Sequence, residues 1–413
     1  MSKSLFTLAF VLLYSSLSFG QTSEEDLQGR DGRRIISTAV PFLNISPDTR
    51  HAGMGDVGVA TSPDANAMYW NQAKLAFLEG QKGEQRDMGF SLSYTPWLRQ
   101  LINDMSLSQL AGYKRLSDEE VIGVSLTYFD LGSMVFRDQN NNEIGEENPR
   151  EFAFGTAYSR KLSDNLSVSL GLKYIYSNLS NGFVLESGGE TRPGQSAAAD
   201  LGVYYKKEYS GLAKKLGIYN ANLALGANIS NVGAKISYTN IDDGNFIPTN
   251  LRLGTALTAE IDPYNKFTIA FDINKLMVPT PPAYYPDSLD DNNDPVIRSG
   301  MDPDRSMING MFTSFVDAPG GVREELQEIM MSVGIEYWYA NALAVRAGYF
   351  YESAMKGNRK YFTVGIGVEY NMFGFDFAYL IPQMINHPLQ DTVRFGLSYN
   401  INKQPGQEES IQE

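Results

Sequence analysis

His51 and His387 are the only imidazoles in 413 residues, and imidazole is the side chain best suited to general acid–base work near neutral pH. Each has Ser, Thr or Asp nearby in sequence, so a hydrolase built on a nucleophile, a His and an acid is one chemistry to weigh. No spacing fixes a nucleophile beside either ring. The expected roles are structural, with His51 packed inside an N-terminal segment and His387 beside Pro388 in a loop. There is no H-x-x-x-H pair and no cysteine, which leaves a zinc centre without its usual ligands. Asp290, Asn292 and Asp294 alternate as in a Ca²⁺ loop. Pro295 stands at the sixth position, where the turn needs Gly, and Met301 at the twelfth, where Glu belongs, so a solvated acidic loop is expected.

Gly53-Met-Gly-Asp-Val-Gly58 matches G-x-G-x-x-G. A dinucleotide site requires a strand before this motif and a helix after it, so that the phosphates meet the helix N-terminus. Pro47-Asp-Thr-Arg50 precedes it and Pro63 follows closely. Glycines packed against a wall are expected instead. No catalytic, cofactor-binding or metal site is predicted, and the chain is not expected to be an enzyme.

Lys3 followed by an apolar run from Leu5 to Leu13, with Ser18 and Gly20 ahead of Gln21, reads as a signal peptide over residues 1–20. Residues 21–34 form a polar, flexible N-terminus. No cysteine follows the signal, which excludes lipoprotein processing, and an exported chain without cysteine must close its structure without disulfides. The net charge of −14, from 34 basic and 48 acidic side chains, argues against nucleic acid as a partner. Past the signal no apolar stretch is long enough for a membrane helix. Yet there are 24 Tyr, 22 Phe and 38 Gly, a composition that suits an outer-membrane β-barrel.

Alternation supports that class. In Leu166–Tyr176, Leu166, Val168, Leu170, Leu172, Tyr174 and Tyr176 share one face, while Ser167, Ser169, Gly171 and Lys173 share the other. A period of two places the first set in lipid and the second in a lumen. About fourteen such segments occur, from 88–95 to 392–401, so an all-β, antiparallel transmembrane barrel is predicted over 88–402. Short turns near 116–119, 162–165, 261–265, 340–341 and 371–372 alternate with longer connections, with 208–220 the one long turn on the short side. That sorting predicts that both ends of the mature chain are periplasmic. The lumen-facing charges Lys173, Arg252, Asp272, Glu336, Glu369, Asp376 and Arg394 carry both signs and are expected to brace the wall.

Residues 35–87 lack sustained alternation and contain several Pro and Gly, which reads as a periplasmic extension or a plug; fourteen strands leave a lumen, so a plug inside the barrel is expected. Residues 276–329 form an unusually long extracellular loop. Its Met301, Met307, Ile308, Met311, Phe312 and Phe315 read either as a partner-binding surface or as the core of a lid over the mouth. Residues 403–413 form a polar tail.

Several motifs between Phe42 and Phe77 resemble the N-terminal signature of the PorV (LptO) family of the type IX secretion system of Bacteroidetes. They are Ser46-Pro47-Asp48, Gly53-Met-Gly55-Asp56, Ala60-Thr-Ser-Pro63-Asp64-Ala65, and Tyr69-Trp70-Asn71 with Ala73-Lys-Leu-Ala-Phe77. Trp97-Leu-Arg-Gln-Leu101 extends the likeness into the barrel. Where the family pattern has Asn-Pro-Ala this chain has Asn71-Gln72-Ala73, and the lost Pro is expected to loosen the helix start. The resemblance implies a fold related to FadL-type transporters, with fourteen strands and an N-terminal hatch. It also implies a shuttle that takes cargo bearing a conserved C-terminal domain from the SprA translocon to the PorU sortase, at the cell surface among outer-membrane lipid and lipopolysaccharide. Transport of hydrophobic small molecules and lipopolysaccharide O-deacylation are the two alternatives.

Overall fold

The computed structural model describes residues 34–79, 86–99, 102, 104–137, 143–179, 190–239, 244–290, 294–384 and 387–402. The chain divides into two units, Met1–Arg34 and Ile35–Glu413, of which the second holds the fold. The expected signal peptide, flexible N-terminus and polar tail lie outside the described residues, apart from Arg34, as does Asn292 of the acidic loop.

The strands are β1 (Arg86–Pro96), β2 (Ser106–Arg115), β3 (Glu120–Asp130), β4 (Met134–Arg137), β5 (Glu143–Glu147) and β6 (Arg150–Lys161). They continue as β7 (Leu166–Asn178), β8 (Gly194–Glu208), β9 (Asn220–Gly233), β10 (Asn250–Glu260), β11 (Asn265–Leu276) and β12 (Ala283–Leu289). The last are β13 (Pro295–Ser299), β14 (Met330–Tyr339), β15 (Leu343–Tyr351), β16 (Lys360–Tyr370), β17 (Phe373–Pro382) and β18 (Val393–Asn402). Fourteen of them close into an antiparallel barrel in the order β1-β18-β17-β16-β15-β14-β11-β10-β9-β8-β7-β6-β3-β2. Closure leaves no unpaired strand edge facing lipid. At the seam Arg86 stands opposite Asn402 and Leu92 opposite Leu397.

The pleat sorts side chains as the alternation predicts. In β7, Leu170, Leu172 and Tyr174 are exposed on the outer surface, whereas Ser167, Ser169, Ile175 and Ser177 are buried on the inner one. The short turns show why they are short. Ala340 and Asn341, which join β14 to β15, both have positive φ (54° and 53°). That is the backbone of a type I′ hairpin, whose twist matches the flanking strands.

Two long connections carry structure that the alternation did not reveal. β4 pairs with β5 in one and β12 with β13 in the other. Both are two-stranded hairpins, too short to show periodicity against their Asn- and Asp-rich surroundings.

Residues 35–79 occupy the interior. They form a 3₁₀ turn (Pro41–Asn44), α1 (Thr49–Ala52), α2 (Ala67–Trp70) and a second 3₁₀ segment (Gln72–Phe77). Nearly every residue from Phe42 to Leu78 is buried or half-buried. The direction of this segment bears on the periplasmic placement expected for both mature ends, of which the N-terminal one lies outside the described residues. Arg86 and Asn402 share the short-turn end, as the loop sorting requires. The described chain nevertheless begins at the opposite end. The amide of Ala39 donates to the Phe246 carbonyl at 2.9 Å, and Val40, Phe42 and Leu43 pack with Met105, Phe129, Ile236 and Ile247 near the long loops. The chain then descends until the Arg115 guanidinium donates to the Leu78 carbonyl at 2.9 Å and Lys206 pairs with Glu79 at 3.1 Å. An even strand count places the ends of the wall, not the end of a segment that runs the length of the lumen.

Candidate functional site

The buried interior is a network of charges, and its core is Arg50. The Arg50 guanidinium spans Glu336 of β14 (2.8 and 2.9 Å), Asp64 (2.8 Å) and the Ser62 hydroxyl (2.6 Å). Glu336 also accepts from Arg346 of β15 at 2.7 Å, and Arg346 reaches Asp376 of β17 at 2.6 Å. The other lumen-facing charges hold the same segment or the wall. Asp272 accepts from the amides of Gly58 (2.6 Å) and Val59 (2.9 Å). Arg394 donates to the Ser46 carbonyl at 2.7 Å and pairs with Asp56 at 3.4 Å. Arg252 donates to the Tyr69 carbonyl at 2.9 Å, Lys173 pairs with Asp200 at 2.7 Å, and Glu369 lies 3.9 Å from Arg86.

The signature residues each have a structural task here. Asp48 caps α1, accepting from the Arg50 amide (2.9 Å), the Trp70 indole (2.9 Å) and the His51 ring. Pro47 is buried just before it, and Pro63 lines the cavity below Arg50. Asp56 accepts from the Tyr361 hydroxyl at 2.6 Å, and Asp64 from the Asn66 amide at 2.9 Å as well as from Arg50. Gly55 lies at φ +73°, where a Cβ would stand 2.5 Å from the Tyr349 amide nitrogen; at Gly58 a Cβ would enter the Trp70 ring. Gly53 meets Gly365 of β16. The G-x-G-x-x-G spacing is thus a packing pattern. Asn71 caps the second 3₁₀ segment through the Ala73 amide at 3.2 Å and donates to the Val203 carbonyl at 2.9 Å. Gln72 tightens this start rather than loosening it: its amide donates to Asp200 at 2.7 Å and to the Met68 carbonyl at 3.0 Å, two bonds that a Pro there could not make.

His51 has the neighbours of a hydrolytic triad, with Asp48 on Nδ1 and the Thr61 hydroxyl 2.8 Å from Nε2. All three side chains are fully buried, and Thr61 also accepts from Lys74 at 3.0 Å. His387 is half-buried, and its Nδ1 accepts from the Leu389 amide at 3.1 Å.

Two cavities flank this network. A polar one of about 650 Å³ opens at the short-turn end, lined by Arg50, Asp64, Glu79 and Lys266 among others. A small one of about 70 Å³ lies toward the long loops, between Trp70, Arg252, Phe350 and Leu380. They share no lining residue.

The connection between β11 and β14 forms the other surface. After β12 and β13 it folds into α4 (Met307–Thr313) and α5 (Val322–Gln327). Four of the six expected partner residues are exposed: Met301, Ile308, Phe312 and Phe315. Met307 and Met311 are half-buried. Val316, in the same apolar stretch, is exposed as well, and two further exposed residues, Val322 and Leu326, were missed. The pair Val322 and Leu326, four apart on α5, is the helical signal that could have found them.

Beneath this apolar face lies a buried ionic base. Lys275 of β11 pairs with Glu328 (2.5 Å) and Glu325 (3.1 Å), and Lys356, between β15 and β16, with Glu324 (2.7 Å) and Glu328 (2.9 Å). The Thr280 hydroxyl donates to Glu328 at 2.6 Å. Asp317 sits beside them, and burial together with the charges of Glu325 and Glu328 pushes its pKa up to about 6, against the Thr280 amide and Arg305. A carboxyl whose pKa is raised by folding holds its proton more tightly in the folded loop, so its contribution is complete below about 4 and is lost as pH rises through about 6. The loop is therefore expected to resist proteolysis better at pH 5 than at pH 8. Asp317→Asn should flatten the difference; an unchanged difference in that variant would place the titration elsewhere.

A family model described as type IX secretion system protein PorV matches residues 28–283, more than half of the chain. This chain belongs to the PorV family. It is thus an outer-membrane component of type IX secretion, and the matched residues include the segment from Phe42 to Phe77. No curated protein matches it. Among solved structures it is similar to the toluene transporter TbuX of Ralstonia pickettii (12% identity, 87% of this chain and 98% of that one, TM-score 0.45). It is likewise similar to the toluene transporter TodX of Pseudomonas putida (14%, 86% and 97%, 0.45) and to a FadL homologue of Pseudomonas aeruginosa (11%, 90% and 99%, 0.45).

Proposed function

We propose that this PorV-family barrel is a non-enzymatic shuttle and attachment component, which receives the C-terminal domains of secreted cargo from the SprA translocon and delivers them to the PorU sortase. The long loops face the cell exterior in this reading. The observation that carries it is the exposed apolar face of Ile308, Phe312, Phe315 and Val316, whose Phe315 ring lies 5.5 Å from Lys275 of the ionic base. Membership of the PorV family supports partners within type IX secretion.

Two observations weigh against the alternatives. A transporter of hydrophobic small molecules needs a continuous path, and the two lumenal cavities share no lining residue. An O-deacylase needs its nucleophile open to substrate, whereas Thr61 and His51 are fully buried among the described residues.

The test is purification in mild detergent, followed by identification of the proteins retained by the full chain and by a variant lacking residues 300–316. The full chain should retain the translocon and cargo domains, and the variant should assemble as a barrel yet lose both. Full retention by the variant would remove this loop from the proposal. Retention of neither partner by the full chain would remove the shuttle.

A further inference from the structure

The sorting of short and long connections breaks at one place, between β8 and β9, and what stands there is built rather than loose. The connection folds into α3 (Ser210–Leu216). Tyr209 donates its amide to the Ala221 carbonyl at 2.8 Å, and Tyr219 donates to the Glu260 carbonyl at 2.8 Å, so both ends are tied to neighbouring strands. Ala213 is buried, which fixes the inward face of the helix. Gly217, at φ +69°, ends it in the left-handed conformation, with its amide on the Lys214 carbonyl at 3.3 Å and that of Ile218 on the Ala213 carbonyl at 3.1 Å.

The charge here runs against the rest of the molecule. In a chain of net charge −14, residues 206–219 hold Lys206, Lys207, Lys214 and Lys215 against the single Glu208. Lys206 is committed to Glu79 at 3.1 Å. Lys207, Lys214 and Lys215 are exposed and form no ion pair among the described residues. Beside them, Leu216 (61%), Tyr219 (71%) and Tyr209 are exposed, and Lys207 lies 5.6 Å from the Tyr209 ring centre. Tyr264 and Ile261, on the next short turn, are exposed at the same end of the barrel. Above this level the outer faces of β8 and β9 present Leu201, Val203 and Leu225. Apolar side chains giving way to Tyr and then to Lys is the order of a strand crossing from hydrocarbon into headgroups.

We propose that this connection binds anionic phospholipid headgroups of the leaflet at the short-turn end. Leu216, Tyr209 and Tyr219 reach the acyl boundary, while Lys207, Lys214 and Lys215 pair with phosphates. The site fixes the depth of the barrel in the bilayer and gathers acidic lipid around β8 and β9. It stands independently of the cargo reading, because neither its residues nor its ligand involve the long loops.

The test uses the full chain in mixed phosphatidylglycerol and phosphatidylcholine, with the lipids retained after purification counted by native mass spectrometry. The protein should enrich phosphatidylglycerol. The triple variant Lys207→Gln, Lys214→Gln, Lys215→Gln should lose that preference by a factor on the order of a hundred, from three lysines near a charged surface. Replacing the same three residues with Arg should keep it. Rising salt should erase it, since at about 1 M charges are screened within about 3 Å. Equal retention of the two lipids by the wild type, preference that survives in the Gln variant, or preference that persists in high salt would each overturn the proposal. The same holds if the Gln variant keeps its lipid but loses a bound protein, which would make the element a protein-docking site.

Discussion

Changing Ile308, Phe312 and Val316 together to Asp is expected to weaken capture of cargo C-terminal domains by at least about a hundredfold, with barrel stability unchanged. The three side chains follow one another at intervals of four and are 61%, 64% and 67% exposed. Burying a large apolar side chain at an interface contributes about 1.5–3 kcal/mol, and each Asp adds a carboxylate that must be desolvated if the same surface is to close. Their exposure in the free protein means the folded barrel loses little when they are replaced, since substitutions at such positions usually change stability by less than about 0.5 kcal/mol. Binding to immobilised cargo domains measures the first effect, and the temperature at which the barrel loses its heat-resistant gel mobility measures the second. Affinity within about threefold of wild type would move the docking face off residues 308–316. The half-buried Met307 and Met311 make the contrast, because their truncation should disturb the loop itself.

Glu336→Ala is expected to be among the most destabilising substitutions of a single side chain in the lumen. Glu336 lies between two guanidiniums, accepting from Arg50 at 2.8 and 2.9 Å and from Arg346 at 2.7 Å, and all three residues are buried. Losing one partner of a buried pair leaves an uncompensated charge, at about 3–5 kcal/mol. Arg346 keeps Asp376 and Arg50 keeps Asp64, which holds the effect toward the lower end. Thermal unfolding in detergent should show the loss, and the double variant Glu336→Ala, Arg50→Met should recover part of it because one stranded charge is gone with its partner. If the double variant is less stable than the single by the full cost of losing Arg50, the two side chains are not coupled and the network is not what holds the segment.

The wall was legible because a barrel strand repeats one instruction, apolar outward and small or polar inward, over many residues. Leu166 to Tyr176 carries it with one departure, Ile175 on the inner face, and β7 pairs in continuous register with β6 and β8. The lumen was legible in part. Charged residues on the inner face, such as Asp272 and Arg394, had to find partners, but those partners lie more than 200 residues away in sequence, at Gly58 and at Ser46 and Asp56. The family signature pointed to the segment and not to its bonds. The ionic base of the long loop was not legible: Lys275, Lys356 and Glu328 come from three separate stretches, and no local pattern announces that they meet. Nor was the cationic helix α3, since a connection read only for its length says nothing of its charge.

The path of the N-terminal segment bears on how the molecule is assembled. It enters at the long-loop end near Phe246, leaves at the short-turn end near Arg115, and touches the wall on opposite sides through Glu336 and Ser159. Those contacts exist only once strands far apart in sequence have been brought around it. A chain deprived of residues 35–79 is expected to lose the bonds that brace opposite sides of the wall, and a lower temperature for the loss of heat-resistant gel mobility should show it.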